Sequence, residues 1–213
     1  MSGRRLSDGW HNRKVPHERD VQAFEDRADS YEEGWRGRMH HDIATRTADL
    51  ALTSSTAPGR VLDVGCGTGF LLRLLADRLP EAERLLGIDA AAGMIAVAKS
   101  KANDPRLSFS EGVAEKLPYP DESFDLVVSS TSFDHWEVQG AGLSECGRVL
   151  APGGHLVLTD LFSPLLVPTL LGARRDRART THRAEALLKC AGFRTMAWHR
   201  LYSLIIGTVV ASK

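Results

Sequence analysis

Three cysteines stand in 213 residues, Cys66, Cys146 and Cys190, and no two of them form a Cys-x-x-Cys pair. That spacing excludes a disulfide framework and a zinc site built on cysteine pairs, and it suits a reducing cytoplasm. Long apolar runs are missing too. No stretch approaches the roughly 18 apolar residues of a membrane span, and residues 1–50 hold no apolar core of a secretion signal, so a cytoplasmic protein is expected. Net charge is also absent: 27 basic and 27 acidic side chains cancel, leaving no global field to draw the chain to nucleic acid or an anionic membrane. The exception is local. Between residues 171 and 200 lie Arg174, Arg175, Arg177, Arg179, Arg183, Lys189, Arg194 and Arg200, opposed only by Asp176 and Glu185. Such a stretch is either a solvated helix face or a site for an anionic substrate or carrier.

The run Val61-Leu62-Asp63-Val64-Gly65-Cys66-Gly67-Thr68-Gly69 carries the most information. Its first four residues suit a buried parallel strand, and the glycines allow backbone angles and close approaches that a Cβ would forbid. Phe70 to Leu79 then places apolar residues at helical spacing, with Arg73, Asp77 and Arg78 left for solvent. Leu85 to Asp89 reads as the next strand. It delivers a carboxylate about 20 residues past the glycines, the offset at which an acid reaches a ribose diol. Two details choose among nucleotide cofactors. The spacing is Gly-x-Gly-x-Gly where a pyrophosphate site uses Gly-x-Gly-x-x-Gly, and Asp63 just before the turn would repel a pyrophosphate but attract the ammonium of a bound methionine moiety.

At this point the chain resembles the class I S-adenosylmethionine-dependent methyltransferases, in particular the small-molecule branch related to ubiquinone and menaquinone methyltransferases. The resemblance extends through Glu111 to Asp125, similar to the family's segment joining the third and fourth strands, and through Arg148 to Leu158, similar to its helix, Pro-Gly-Gly turn and fifth strand. It implies a Rossmann-like α/β fold: a mostly parallel seven-strand sheet with an antiparallel C-terminal strand and helices on both faces. It also implies S-adenosylmethionine as cofactor and a small organic molecule as methyl acceptor. Carried onto this chain, the cofactor-binding positions are Asp63, Gly65, Cys66, Gly67, Gly69, Asp89, Ala90, Met94, Val113, Ala114 and Ser130. Asp89 would hold the ribose, Asp63 the ammonium, Ala90 and Met94 the adenine faces, and Ala114 its edge. Val113 stands where the family usually has an acid for the adenine amino group, so adenine recognition is expected to rest on backbone groups and apolar packing.

The length suits one domain. Residues 1–16, polar and rich in Arg, Gly and Ser, are expected to be a mobile tail, and 17–213 a single domain with 17–57 as a helical lid. Within the lid Phe24, Ala28 and Tyr31 share a helical face, while Gly34 and Gly37 are read as interruptions. Further helices are expected at Ala92–Lys101, Gln139–Leu150 and Thr180–Ala191, and strands at Leu107–Ser110, Leu126–Ser130 and Leu156–Thr159. Phe162–Leu171 should be a loop or short helix walling the substrate pocket, and Phe193–Tyr202 with Leu204–Ser212 a closing antiparallel pair.

Methyl transfer asks mainly for alignment, and a base helps only when the acceptor is a hydroxyl or an acidic carbon. Ligands of such sheets collect beyond the carboxyl ends of the strands, where Ser129 to Trp136 follows the fourth. His135 is the candidate base there, since imidazole titrates near neutrality; its other reading is a backbone-bonded residue shaping the pocket. Tyr31 is the candidate aromatic at the transfer site, by resemblance of Phe24–Tyr31 to the family's closing helix, or else a packing residue. Phe133 and Trp136 read as packing or walls. No metal is expected: His40 and His41 are adjacent, a poor spacing for one helix face, and Asp134 with Asp160 lacks the Asp-Asn pair of a catechol-type site. Three rival readings stand beside methylation of a small molecule. They are a nicotinamide-dependent oxidoreductase, a relative that keeps the cofactor without methylating, and an RNA methyltransferase drawn by the basic stretch.

Overall fold

Arg60–Val64 forms strand β1, and its alternating side chains divide the interior. Val61 joins one apolar cluster, Leu62 and Val64 the other. Leu126 and Val128 against Val127 repeat the division, as do Leu156 and Leu158 against Val157, which is the period of two expected of a sheet covered on both faces. The structure is a computed structural model and describes residues 16–55, 57–166, 177–202 and 204–213. The expected tail therefore lies almost wholly outside the described residues, as do residues 167–171 of the expected pocket wall and Arg174 and Arg175 of the basic stretch.

The other strands are β2 (Arg84–Asp89), β3 (Leu107–Glu111), β4 (Phe124–Ser130), β5 (Leu150–Leu161), β6 (Thr195–Tyr202) and β7 (Ile206–Ser212). They form one seven-stranded sheet in the order β3-β2-β1-β4-β5-β7-β6. Strands β1 to β5 are parallel, and β7 runs antiparallel to both its neighbours. The helices are α1 (Pro16–Glu25), α2 (Gly34–Ser54), α3 (Phe70–Arg78), α4 (Ala92–Lys101), α5 (Gln139–Val149) and α6 (Thr181–Cys190). Ala48 of α2, Leu72 of α3 and Ala98 of α4 pack with Val61 on one face; Leu143 of α5 and Leu188 of α6 pack with Leu62 on the other. Among the described residues no helix is long and apolar enough to cross a membrane.

As expected, the C-terminal strand β7 is the antiparallel one; it inserts beside β5 and leaves β6 outermost, with Gly207 to Ala211 buried whereas β6 carries the exposed His199 and Arg200. Two details differ from the sequence reading. Gly37 does not interrupt α2. It lies in the first turn, where a Cβ would fall 2.0 Å from the Glu32 carbonyl oxygen, so glycine is what lets the chain close into the helix. The Pro-Gly-Gly turn falls inside β5. Leu150 faces Phe124 and His155 faces Leu126, so residues 151–154 loop out opposite Asp125 alone, with Gly153 at φ +78.

The chain runs outward from β1 through β2 to β3, then crosses back to place β4 on the other side of β1. A crevice opens where that order reverses, beyond the carboxyl ends of β1 and β4.

Candidate active site

The glycine loop leaves β1 into that crevice. Gly65 and Cys66 donate their N–H groups to the Ile88 carbonyl oxygen at 2.8 and 3.0 Å, which ties the loop to β2. At Gly65, φ +75, a Cβ would fall 2.3 Å from the Ser132 side chain; at Gly69, φ +76, it would fall 2.7 Å from the Phe109 ring. Gly67 differs: nothing lies within 4 Å of the place its Cβ would take. The outer two glycines thus permit packing, and the middle one leaves backbone bare toward the cleft. Asp89 ends β2 and accepts from the Gly67 N–H at 2.8 Å and the Ala91 N–H at 2.9 Å, joining the loop to the start of α4. Burial pushes its carboxyl above the usual range, against the pull of those two donors.

The crevice holds a cleft of about 710 Å³. Gly65, Gly67, Asp89, Ala90, Met94, Val113, Ala114 and Ser130 line it, together with Tyr31 and His135. A second cleft of about 470 Å³ shares Tyr31, Gly65, Gly67, Ser130 and Thr131 with the first, and it holds Asp63 and Cys66. Gly69 lines neither and stands behind them as the N-cap of α3. Cys66 is buried, its sulfur 2.8 Å from where a Cβ on Gly87 would sit, so its small size is what the packing requires. Asp63 is 2% exposed, and its Oδ1 has no hydrogen-bond partner. Burial first, and the neighbouring Asp89 charge second, hold its carboxyl well above the usual range. A buried polar atom without a partner is rare, and here it borders a cavity.

The N-terminal elements lie over the first cleft. Val21, Phe24 and Tyr31 pack on Ala28, Ala91 and Met94, which sets α1 and the 3₁₀ turn Ala28–Ser30 against α4. Glu25 accepts from the Gly93 N–H at 2.7 Å, a carboxylate at the N-terminus of α4 where the helix dipole favours it. Glu32 pairs with Arg73 at 3.1 Å and Lys101 at 3.0 Å. Tyr31 stacks on His40, with centroids 5.1 Å apart, and burial, followed by the Asp89 charge, pushes its hydroxyl up to about 12. His40 and His41 both border the second cleft, and His41 stacks on Phe70 at 3.8 Å.

His135 closes the 3₁₀ turn Phe133–His135 that follows β4. Its Nδ1 lies 3.0 Å from Asp20 Oδ2, and the Phe24 ring meets it edge-on at 5.0 Å. Asp134 beside it turns away and accepts from Arg179 Nε at 2.7 Å in a buried pair. Arg179 is therefore no part of a solvated basic face, and Arg177 likewise donates to the Trp136 carbonyl oxygen. Phe133 and Trp136 are buried, and the tryptophan borders the cleft. Asp160 is buried and pushed up to about 6 by that burial; it accepts from the Asp134 and Leu161 N–H groups. Among the described residues no group of three His, Cys, Asp or Glu side chains could hold a metal ion.

Two site features escaped the sequence reading. Thr131, the residue after β4, sits at φ +56, a left-handed conformation that is strained for a β-branched side chain; its N–H is held by the Thr159 carbonyl at 2.8 Å. The only hint was the run of small hydroxyl residues Ser129 to Ser132. Asp20 lies 115 positions from His135, and no local pattern could have joined them.

A glycine loop between a strand and a helix, a carboxylate ending the second strand and a cleft at the reversal of strand order define a doubly wound α/β domain with its crevice at the place where ligands of such sheets bind. Residues 62–158 match the family model described as a methyltransferase domain. The demethylmenaquinone methyltransferase of Deinococcus radiodurans is 42% identical over 125 residues, 58% of this chain and 52% of the relative. A malonyl-[acyl-carrier protein] O-methyltransferase of Methylococcus capsulatus is 41% identical over 103 residues, 48% of this chain and 37% of the relative. The chain thus spans about half the length, or less, of these curated relatives. A methyltransferase structure from Aquifex aeolicus shares the fold at TM-score 0.69 and 20% identity, over 91% of this chain and 99% of that one.

Proposed function

We propose that this protein transfers the methyl group of S-adenosylmethionine to a small organic molecule. The observation that carries the reading is Asp63: a carboxylate with an unpartnered oxygen, buried in the wall of a cleft beside the glycine loop. An ammonium suits that place and a pyrophosphate does not. The bare backbone at Gly67 suits close approach of the same ligand, and Asp89 keeps lone pairs for a ribose diol besides the two that accept from backbone. Ala90, Met94 and the edge of Ala114 offer the apolar slot for adenine, with Val113 adding packing in place of a hydrogen bond.

When bound, the cofactor supplies an electrophilic methyl on a sulfonium and its own leaving group. The chain supplies alignment, worth about 7 to 11 kcal/mol for well-oriented reactants. His135 takes a proton from the acceptor, and Tyr31 borders the transfer site and shields it from water. The names of the two relatives point to acceptors of unlike chemistry, a demethylmenaquinone and a malonyl group on an acyl carrier protein. Incubating the protein with labelled methyl donor and an extract of the source cell, then weighing the labelled product, identifies the acceptor here. Titration with S-adenosylhomocysteine and with NAD tests the cofactor; binding of NAD alone would overturn the reading.

Asp89→Ala is expected to weaken S-adenosylhomocysteine binding by about 1.5 to 3 kcal/mol, the worth of hydrogen bonds to a charged group. Calorimetry that finds unchanged affinity in a folded variant would take Asp89 out of the site.

Of the segment 17–57, the part before Gly34 acts in this reading as a lid, on the grounds that Val21, Phe24 and Tyr31 cover the cleft and that Glu25 binds α4 next to the cofactor's place. Hydrogen exchange around Tyr31 should slow when S-adenosylhomocysteine is added. Equal exchange with and without it would make the segment static packing.

A further inference from the structure

We infer that Asp20 is the positioning residue of His135: docking of α1 brings its carboxylate to Nδ1 and thereby fixes which nitrogen of the ring can act as a base. An ionised carboxylate only accepts hydrogen bonds, so a neutral ring 3.0 Å away must place its proton on Nδ1. Nε2 then keeps its lone pair, on a ring that lines the 710 Å³ cleft. Sequence neighbours leave this task to Asp20. Asp134, adjacent in the chain, is held by Arg179, and Asp160 is engaged by the backbone of Asp134 and Leu161. Of the other carboxylates on the cleft wall, Glu115 accepts from the Val138 N–H, and Asp89 from the Gly67 and Ala91 N–H groups.

Three further contacts set the geometry. The Phe24 ring, one turn along α1 from Asp20, holds the imidazole edge-on at 5.0 Å and limits its rotation. Glu25 bonds the Gly93 N–H at 2.7 Å, so the same helix is anchored at the far side of the cleft. Met94 of α4 and Ala91, the residue before that helix, receive its apolar face. Asp20 and His135 are each about one-third exposed or less, so the pair is partly shielded yet open enough to form and break with the helix. The base is consequently assembled from two parts of the chain, and it is complete only while α1 is docked.

What the base does rests on the methyl-transfer reading; the pairing itself does not. The test is therefore made on the full chain both without ligand and with S-adenosylhomocysteine, using nitrogen-15 histidine NMR at pH 8.5, above the ordinary imidazole range. His135→Gln identifies the signal. Wild-type His135 should appear as the Nδ1–H form in both samples, and Asp20→Ala should turn it into a mixture of the two forms. A wild-type ring carrying its proton on Nε2, or an unchanged ring in Asp20→Ala, would overturn the proposal. With the acceptor in hand, Asp20→Ala should lower kcat roughly tenfold or more at unchanged cofactor affinity. It should add nothing on top of His135→Ala, since the two act as one unit. Additive losses would make Asp20 merely a packing residue. Failure of S-adenosylhomocysteine to bind, with the tautomer intact, would instead strike the methyl-transfer reading.

Discussion

His135→Ala should lower turnover about 10²-fold to 10⁴-fold, the usual contribution of a positioned acid or base, while cofactor affinity stays nearly intact. The separation follows from position. His135 sits after β4, whereas the cradle proposed for the cofactor lies at the ends of β1 and β2 and the start of α4. A loss confined to substrate affinity would make His135 a binding residue. Wild-type turnover in the variant would leave transfer to proximity alone.

Asp63→Asn should weaken S-adenosylhomocysteine binding roughly tenfold to 150-fold, equivalent to about 1.5 to 3 kcal/mol, and should also change how stability follows pH. Burial, then the Asp89 charge, raises the folded-state value of Asp63 well above that of an unfolded carboxyl. For a raised group the stabilising contribution is full below the unfolded value, near 4, and is lost as pH climbs through the folded value. The ligand-free protein is thus weakened by Asp63 as pH rises, and asparagine removes that slope. Binding responds with the opposite sign, because a ligand ammonium needs the carboxylate charged, so affinity should rise with pH over the same window. Thermal melts across pH, with and without S-adenosylhomocysteine, read both effects. Equal slopes in wild type and variant would separate Asp63 from the ligand.

Local chemistry was legible wherever spacing alone decides it. Ala92–Lys101 forms a helix at the limits that its sequence suggests, and β1 and β2 lie within one residue of theirs. Asp89 could be placed because a fixed offset separates it from the glycines. Failures came from residues with two uses. Gly37 closes a helix as readily as it breaks one, and a Pro-Gly-Gly stretch can loop out of a strand without ending it. The order of β6 and β7 depends on which is buried, and that is settled by the rest of the sheet. Contacts across the chain were invisible: Asp134 with Arg179, 45 residues apart, and Asp20 with His135. Arg177 and Arg179 counted toward a basic stretch until the fold showed each of them bonded inward.

Thr47 of α2 donates to Thr159 of β5 at 2.9 Å, and Thr159 meets Thr208 of β7 at 2.7 Å, all three fully buried. Sliding or rolling α2 by one residue would break the Thr47–Thr159 bond and part Ala44, Ala48 and Ala51 from the apolar cluster they share with the sheet, so the helix is held to the sheet at one register. Movement of the N-terminal segment must then stop short of α2. The chain enters that helix through Gly34, at φ +65 and with nothing within 4 Å of its vacant Cβ position, which leaves a fulcrum at that residue. Whatever swings over the cleft is the arm before residue 34, carrying Asp20, Phe24, Glu25 and Tyr31 together. His40 and His41, on the pinned side, stay with the sheet as fixed wall.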